Sequence, residues 1–406
     1  MRVLHINQSD TSGGAAIAGY RLHQGLLGRG IDSRLLVGRA VSTSDQVAKV
    51  YPASSSEMRL KRLTQRFGLN HVHLLSTSKL AQHPFYEQAD ILNLHNLHTG
   101  YFNYLAIAAL TATKPAVFTL HDMWSFTGHC AYSYDCDRWK IGCGHCPYPD
   151  TYPAIRRDST SWEWKLKERT YKHSNLTIVA PSQWLAEQAQ SSMLNRFPIH
   201  CIPYGIDVDV YQPVEQDLCR AVLEIPRDKK VILFGAQSLQ ETRKGGDILL
   251  NALRDLPESL KAETLLLTFG ETNTELATAI RIPTLSLGYI SSDRLKAIAY
   301  SAADVFVFPT RADNLPLVLQ ESMACGTPMI SFKIGGVPDL VRPGVTGYLA
   351  EPEDAADLSS GIVKLLDDDV LREQLGKNCR AIALEEYPLH LQASRYADLY
   401  DQILQN

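Results

Sequence analysis

Short apolar runs alternate with amphipathic stretches along almost the whole chain, and this alternation constrains the fold more than any other feature. The runs have the length of buried β-strands, and the stretches between them carry apolar residues at the 3.6-residue period of a helix. This βαβ succession predicts parallel sheets covered by helices. The strand candidates are Val3–Ile6, Ser33–Val37, Ile91–Leu94, Ala116–Leu120, Leu176–Ala180, Val231–Phe234, Thr264–Phe269, Val305–Phe308 and Pro328–Phe332. The helix candidates are Ala15–Leu27, Gly245–Leu253, Arg294–Ser301, Leu317–Ala324 and Leu391–Leu404.

The strands fall into two series, and a chain of 406 residues is too long for one ordinary hydrophobic core. The series are separated by Cys201–Pro213, which is interrupted by proline and glycine. We therefore predict an α/β protein of two doubly wound, Rossmann-like domains, over residues 1–203 and 204–386. Residues 387–406 are predicted to form a helix that packs back on the first domain. Ligands of open parallel sheets bind beyond the carboxyl ends of the strands, so a site is expected in a cleft between facing domains.

The composition of the chain argues against some classes of function. A hydrophobic fraction of 45% and a charged fraction of 21% are typical of a soluble globular protein, and a net charge of −4 gives no reason to expect a nucleic-acid partner. No apolar run approaches the roughly 18 residues of a membrane span. The N-terminal segment Met1–Asp10 is interpreted as a first strand and not as a signal peptide. We expect a cytoplasmic location.

The segment Arg311–Pro328 places an acid on each side of a predicted helix start. Asp313 comes before the helix, and Glu321 lies in the apolar run that follows. Free N–H groups at a helix start carry partial positive charge and suit a phosphate. A ligand with hydroxyl groups at both ends and a diphosphate in the middle would fit this array, and a capped helix with one surface acid is the alternative. The residues between Asp313 and the helix are Asn314, Leu315 and Pro316.

Polar or glycine residues also follow other predicted strands. Arg243 and Lys244 precede a helix and could neutralise a diphosphate, although a solvated pair is the alternative. Gly13 and Gly14 open the first helix, where glycine lets the backbone approach a ligand closely. The G-x-G-x-x-G fingerprint of a nicotinamide-dependent dehydrogenase is absent from this loop. Two further strands end in histidine-containing segments, with His121 in one and His95, Asn96 and His98 in the other.

The spacing Asp313-x7-Glu321, followed by Ser322–Pro328, resembles retaining GT-B glycosyltransferases of family 4. The segments Gly335–Leu340 and Gly344–Gly347 match the same family, and the resemblance covers nearly the whole chain. It implies the GT-B fold, a nucleotide-sugar donor, and transfer with retention that needs no metal ion in catalysis. The members it resembles assemble bacterial exopolysaccharides, including those of the cyanobacterial type.

The resemblance also implies roles for the candidate residues. The first acid contacts the donor sugar, the second holds the ribose, and a lysine before the helix neutralises the diphosphate. This chain has Asp313 where the family usually has glutamate, which shortens the reach by one methylene group. It has Gly235-Ala236 where the family usually has Gly-Arg, so Arg243 is expected to replace the missing arginine.

Three groups of residues are expected to form the site. The catalytic candidates are His121, Asp313 and Lys244. The donor-binding candidates are Gly13, Gly14, Arg243, Lys244, Gly288, Tyr289, Ile290, Asp313, Asn314, Leu315, Pro316 and Glu321, with Gly288–Ile290 as the base-binding turn. His95, Asn96 and His98 are assigned to the acceptor.

The expected reaction transfers a hexose, with UDP-glucose as the expected donor, to a hydroxyl group of a saccharide or lipid-linked saccharide in polysaccharide biosynthesis. A nucleotide-sugar epimerase of the same fold and a non-catalytic nucleotide-sugar binding protein are the alternatives.

Two other features need an explanation. Four cysteines lie within seventeen residues and could hold a structural zinc ion, with free thiols or disulfides as the alternatives. They are Cys130, Cys136, Cys143 and Cys146. The basic stretches Met58–Arg66 and Trp162–Arg169 also carry leucine or tryptophan, as a peripheral membrane helix would. Contact with the inner face of the plasma membrane and a solvated surface are the two interpretations.

Overall fold

The computed structural model describes residues 1–238, 241–271 and 282–405. These residues form two compact units, Met1–Gly205 with the C-terminal segment from His390, and Ile206–Leu389. The predicted limits, 203/204 and 386/387, fall slightly before these positions. Within the described ranges, no helix is long and apolar enough to span a lipid bilayer.

The first unit is built on a seven-stranded parallel sheet. Its order is β3-β2-β1-β4-β5-β6-β7. The strands are β1 Arg2–Ser9, β2 Asp32–Arg39, β3 Val47–Lys49, β4 Ile91–Leu94, β5 Ala116–Thr119, β6 Leu176–Ala180 and β7 Ile199–Cys201. The helices are α1 Gly14–Gly28, α2 Ser55–Arg66, α3 Pro84–Gln88, α4 Ile107–Thr111, α5 Thr160–Tyr171 and α6 Gln183–Gln190. Short 3-10 helices cover Leu75–Gln82, Tyr104–Ala106, Trp124–Phe126, Arg138–Lys140 and Met193–Arg196.

The second unit is built on a six-stranded parallel sheet. Its order is β10-β9-β8-β11-β12-β13. The strands are β8 Lys230–Ser238, β9 Thr264–Glu271, β10 Thr284–Ser286, β11 Val305–Phe308, β12 Met329–Phe332 and β13 Gly347–Ala350. The described helices are α7 Gln216–Val222, α8 Gly246–Arg254, α9 Glu258–Glu263, α10 Asp293–Ala302, α11 Leu317–Ala324, α12 Val337–Leu340, α13 Ala355–Asp367 and α14 Asp369–Glu386, with a 3-10 turn at Thr242–Lys244. The predicted class, α/β with two Rossmann-like parallel-sheet domains, is confirmed.

The last helix, α15 Leu389–Gln405, lies against the sheet of the first unit. Tyr396 and Tyr400 are buried in an apolar cluster with residues of β1, β4, β5 and β6. The Asn93 side chain donates to the Tyr400 hydroxyl at 2.7 Å, and the hydroxyls of Thr119 and Tyr396 are 3.0 Å apart. These contacts place the C-terminal segment on the face of the sheet that α1 also covers.

Each sheet changes winding direction at one point, and each of these points positions candidate residues of its own unit. The first unit changes between β1 and β4, and the second between β8 and β11. Loops leaving the carboxyl ends of strands on either side of such a point diverge to opposite faces and leave a crevice between them. Most of the predicted site residues lie on these four loops.

Candidate functional site

The loop after β11 brings Asp313 against two cations from the loop after β8. The Asp313 Oδ2 atom accepts hydrogen bonds from Lys244 Nζ at 2.7 Å and from Arg243 Nη1 at 3.1 Å. Its Oδ1 atom accepts from the backbone N–H of Asn314 at 3.1 Å. Burial opposes ionisation, but the charges of Lys244 and Arg243 lower the pKa of the Asp313 carboxyl below its ordinary value. The acid and the cationic pair, which were predicted from separate segments of the sequence, therefore form one charged cluster.

Backbone contacts hold the two loops in this position. The Gly245 φ angle is +71°, and a Cβ atom there would lie 1.9 Å from the Pro309 carbonyl oxygen. The Arg311 N–H donates to the Arg243 carbonyl at 2.7 Å. The Arg311 guanidinium also donates to both carboxylate oxygens of Asp247, at 2.8 and 2.7 Å. Only glycine fits at position 245, and Arg311 fixes the loop that carries both cations.

Glu321 is buried on α11, with 3% of its surface exposed. The Tyr300 hydroxyl donates to Glu321 Oε2 at 3.3 Å. The helix begins at Leu317, with Pro316 at its N-cap and no side-chain cap, so Asn314 and Leu315 precede the helix and do not open it. A buried carboxylate next to a hydroxyl differs from the surface acid of the alternative interpretation.

The predicted base-binding turn follows β10. Gly288 has a φ angle of +65°, and its carbonyl accepts from the Gly270 N–H at 2.8 Å. Ile290 is buried, whereas 60% of the Tyr289 surface is exposed. Its role in binding a base stays a prediction.

In the first unit, the glycine loop after β1 is held by an acid that the sequence interpretation missed. The buried Asp10 carboxylate accepts from the backbone N–H groups of Thr11, Val41 and Ser42 at 2.7–3.1 Å. Although burial opposes ionisation, these hydrogen bonds lower the pKa of Asp10. Gly13, at the N-cap of α1, has a φ angle of +96°. A signal for Asp10 was available, since it is an acid next to the Gly13-Gly14 pair after a strand.

His121 and His95 belong to a buried chain of hydrogen-bonded rings. His5 Nδ1 lies 2.9 Å from His95 Nε2, His95 Nδ1 lies 2.9 Å from His121 Nε2, and His121 Nδ1 lies 2.7 Å from the Tyr204 hydroxyl. Burial lowers the pKa of His121 to about 4 and those of His5 and His95 well below the ordinary value. The three imidazoles are therefore neutral at pH 7, and both nitrogens of His121 and His95 already have protein partners.

His98 and Asp122 form a second pair. His98 Nε2 lies 3.1 Å from Asp122 Oδ2, and Asp122 Oδ1 accepts from the Trp124 N–H at 2.8 Å. The acid next to His121 in sequence therefore orients His98 and not the His121 ring. Asn96 is also buried, and its carbonyl accepts from the Tyr101 hydroxyl at 2.6 Å.

A buried lysine fixes the segment after His121. Lys167 Nζ donates to the carbonyls of Trp124 at 2.6 Å and Thr127 at 2.9 Å, and it lies 3.6 Å from the Trp124 ring centroid. Burial lowers the pKa of Lys167 to about 8. The burial of Lys167 could not be predicted from sequence, because it lies in the basic stretch Trp162–Arg169, which was interpreted as an exposed surface.

All four clustered cysteines are free thiols in the structure. Cys146 Sγ lies 3.2 Å from His129 Nε2, and Cys143 Sγ accepts from the Gly128 N–H at 3.2 Å. Burial raises the pKa of Cys130 to about 12 and that of Cys143 to about 11. In the described ranges, which include this loop, no group of three or more His, Cys, Asp or Glu side chains is arranged to hold a metal ion. The residues do not fit a zinc ion as placed, and structural zinc stays an untested prediction.

Comparison with known proteins covers both units. Residues 12–210 match Glycosyltransferase Family 4, and residues 215–382 match Glycosyl transferases group 1. The chain is 27% identical over 375 residues to the glycosyl transferase WcaC of Escherichia coli (strain K12), named for colanic acid biosynthesis, covering 87% of this chain and 88% of WcaC.

Two solved structures establish the fold. Sucrose-phosphate synthase from Thermosynechococcus elongatus superposes with a TM-score of 0.71 at 18% identity and covers 100% of both chains. Anabaena HepE in complex with UDP-glucose superposes with a TM-score of 0.71 at 17% identity, covering 99% of this chain and 100% of HepE. Together with the matches to both halves of the chain, they show that this protein belongs to the family 4 glycosyltransferases of GT-B fold.

Proposed function

We propose that the chain is a retaining glycosyltransferase that moves a hexose from a nucleotide diphosphate sugar to a hydroxyl group of a saccharide or lipid-linked saccharide in polysaccharide biosynthesis. The observation that carries the proposal is the cluster of Lys244, Arg243 and Asp313 between β8 and β11, followed by the buried Glu321 on α11. UDP-glucose is the first donor to test, because HepE binds it on the same fold. Polysaccharide biosynthesis is inferred from the name of WcaC.

Lys244 and Arg243 would stabilise the leaving group. Departure of the nucleoside diphosphate places negative charge on its phosphate oxygens, and preorganised cations reduce the cost of that charge. Both cations already donate to Asp313, so a diphosphate would share these donors with the carboxylate. This positive charge comes from side chains, and the proposed mechanism requires no catalytic metal ion.

Glu321 would hold the nucleoside end of the donor. Carboxylates accept strong hydrogen bonds from hydroxyl groups, and the ribose presents two of them. The Tyr300 hydroxyl at Glu321 Oε2 keeps the carboxylate in place. The turn Gly288–Ile290 would contact the base, with the exposed Tyr289 ring as its most accessible group.

The first unit would contribute His121 and the glycine loop. A Cβ atom at Gly14 would meet no heavy atom within 4 Å, so the backbone there is open to a ligand. His121 would contact the donor sugar by exchanging the Tyr204 hydroxyl for a sugar hydroxyl at Nδ1. His95, Asn96 and His98 would support the acceptor side from their buried positions.

Retention would follow from attack on the face that the diphosphate leaves. The bond between the anomeric carbon and the phosphate oxygen breaks, the bond to the acceptor oxygen forms, and the departing phosphate takes the acceptor proton. This step needs no protein nucleophile. We also propose a cytoplasmic location at the inner face of the plasma membrane, where a lipid-linked acceptor would be presented.

A thermal-shift panel tests donor binding. The wild-type protein is mixed with UDP-, GDP- and ADP-sugars, and UDP-glucose is expected to raise the unfolding temperature most, because binding to the native state stabilises it by mass action. Lys244→Ala and Glu321→Ala should each abolish the shift. The control Lys377→Ala, an exposed lysine on α14, should keep it. A shift that survives both site substitutions would contradict the site assignment.

Product analysis separates the alternatives. A transferase releases UDP in proportion to acceptor and yields a glycoside of unchanged anomeric configuration. An epimerase converts the sugar without depending on acceptor, and a binding protein gives a thermal shift without turnover of any donor. Inverted product would contradict the retaining mechanism.

A further inference from the structure

Three separate segments of the first unit meet at the first turn of α5 and leave apolar side chains exposed. The Ser159 hydroxyl, at the N-cap of α5, donates to the carbonyl of Phe67, the residue after α2. A Cβ atom at Gly144 of the cysteine loop would lie 3.4 Å from the Ser161 Cβ atom. Trp162 belongs to the same turn. These contacts bring α2, the cysteine loop and α5 together.

The exposure of the apolar side chains here is high. Ile141 is 88% exposed, Trp162 is 68% exposed and Phe67 is 58% exposed. Leu63 lies in the last turn of α2, four residues before Phe67, and is 53% exposed. We name these four side chains, Leu63, Phe67, Ile141 and Trp162, the α2–α5 surface. Large apolar groups exposed together mark an interaction site more often than scattered ones do.

Basic side chains are frequent in the segments that form the α2–α5 surface; the Arg157 guanidinium donates to the Arg66 carbonyl, and Lys165 lies near the Trp162 ring. These basic side chains are exposed, although the chain as a whole carries a net charge of −4. They comprise Arg59, Arg62, Arg66, Lys140, Arg156, Arg157 and Lys165. The combination of exposed apolar tips and a local excess of positive charge is complementary to an anionic surface.

The neighbouring acids reduce this positive charge without cancelling it, because Glu57, Asp137, Asp158 and Glu163 are fewer than the seven exposed cations, and among the cations Lys140 pairs with Asp137 at 2.8 Å. The Glu57 carboxylate is buried and accepts from the backbone N–H groups of Ser54 and Ser76. Asp158 accepts from the N–H groups of Cys146 at 2.7 Å and Thr160 at 3.0 Å. Both carboxylates are therefore committed to backbone donors.

We propose that the α2–α5 surface binds an anionic phospholipid bilayer. Phe67, Ile141 and Trp162 would enter the interfacial region, where aromatic side chains are favoured, and the basic residues would contact lipid phosphates. The interface of a protein partner has an apolar centre that is depleted of charged residues. Here the exposed apolar side chains are interspersed with cations, and this arrangement fits a deformable lipid surface better than a protein partner. The cysteine loop would then serve to present Ile141.

This inference rests on the proposed function, because it identifies the surface that would make the proposed membrane contact. Its test, however, requires no transfer reaction. Purified protein is sedimented with vesicles of phosphatidylcholine alone and of phosphatidylcholine with phosphatidylglycerol in equal parts. We expect binding to the anionic vesicles, at least about tenfold weaker binding to the neutral ones, and loss of binding at high salt.

Two variants test the surface directly. The double substitution Ile141→Ser with Trp162→Ser should weaken binding about tenfold or more by removing the inserted groups. Arg62→Glu with Arg66→Glu should weaken it by more than about twentyfold, because the attraction is worth about fivefold per cation. Val370→Ser, a substitution of an apolar side chain that is 79% exposed in the second unit, is the matched control and should bind like wild type.

The outcomes are decisive because all three variants change exposed residues. Circular dichroism checks that each is folded, and the UDP thermal shift checks the donor site independently. Wild-type protein that stays in the supernatant with anionic vesicles would overturn the proposal, as would equal sedimentation of wild type and both surface variants. Self-association in place of vesicle binding would assign the surface to a second copy of the chain.

Discussion

At the residue scale, the proposed donor site depends on the cluster of Asp313, Lys244 and Arg243. Position after a strand made these residues candidates, and the family resemblance supported their selection over the alternative of a solvated pair of cations. Their mutual pairing could not be predicted, since Asp313 is separated from the cations by about 70 residues of chain. The histidine chain is a similar case. Nothing in the local sequence of His5 indicates that its ring lies against His95.

Removing the charge of Asp313 should show how much its pairing with Lys244 and Arg243 stabilises the fold. Asp313→Asn leaves Lys244 and Arg243 without their shared carboxylate, and loss of one partner from a buried pair costs about 3 kcal/mol of unfolding free energy. UDP should restore part of this loss, because its diphosphate supplies negative charge. Urea unfolding with and without UDP measures both effects. The exposed Asp369→Asn on α14 is the control, and an unchanged stability for Asp313→Asn would contradict the pairing.

The buried histidines predict a loss of stability in acid. Burial lowers the pKa of His121 to about 4, so the native state holds it neutral while the unfolded chain takes up a proton below its ordinary pKa of 6.5. Its contribution is complete above pH 6.5 and declines between pH 6.5 and about 4, by up to about 1.4 kcal/mol per pH unit.

Urea unfolding at a series of pH values tests this. His121→Gln should flatten the dependence on pH between 6.5 and 4, while the exposed His390→Gln should leave it unchanged. An identical slope in wild type and His121→Gln would show that the imidazole is not held neutral.

At the element scale, buried strands were predictable and edge strands were not. The apolar runs Ile91–Leu94, Leu176–Ala180 and Val305–Phe308 were predicted with the bounds that the structure has, because both faces of these strands are covered. The short strands at the sheet edges were missed, since three or four partly exposed residues give too little pattern. They are Val47–Lys49, Ile199–Cys201, Thr284–Ser286 and Gly347–Ala350.

Helix α15 should depend on its hydrogen bonds to the first sheet. Tyr400→Phe removes the acceptor of the Asn93 side chain, and leaving a buried donor unsatisfied costs about 1–3 kcal/mol. We expect a lower free energy of unfolding by that amount in urea titration. Tyr51→Phe, at an exposed tyrosine, should change it by less than about 0.5 kcal/mol. Equal effects of the two substitutions would mean that α15 does not stabilise the sheet through Tyr400.

At the scale of the whole molecule, the alternation of strands and helices was enough to predict two parallel sheets. Each sheet has the doubly wound order, and each unit has its own buried strands. Sequence alone did not specify which loop segments would meet around α5, because the contacts of the α2–α5 surface join residues about 90 positions apart. Family membership then adds the reaction class, while donor, acceptor and retention stay proposals.

The most direct test of the donor site is a crystal structure of the protein with UDP. We expect diphosphate oxygens within hydrogen-bond distance of Lys244 Nζ and the Arg243 guanidinium, and ribose hydroxyls at the Glu321 carboxylate. Nucleotide bound elsewhere, with Glu321 contacting no ligand atom and Lys244 still paired only with Asp313, would contradict this expectation.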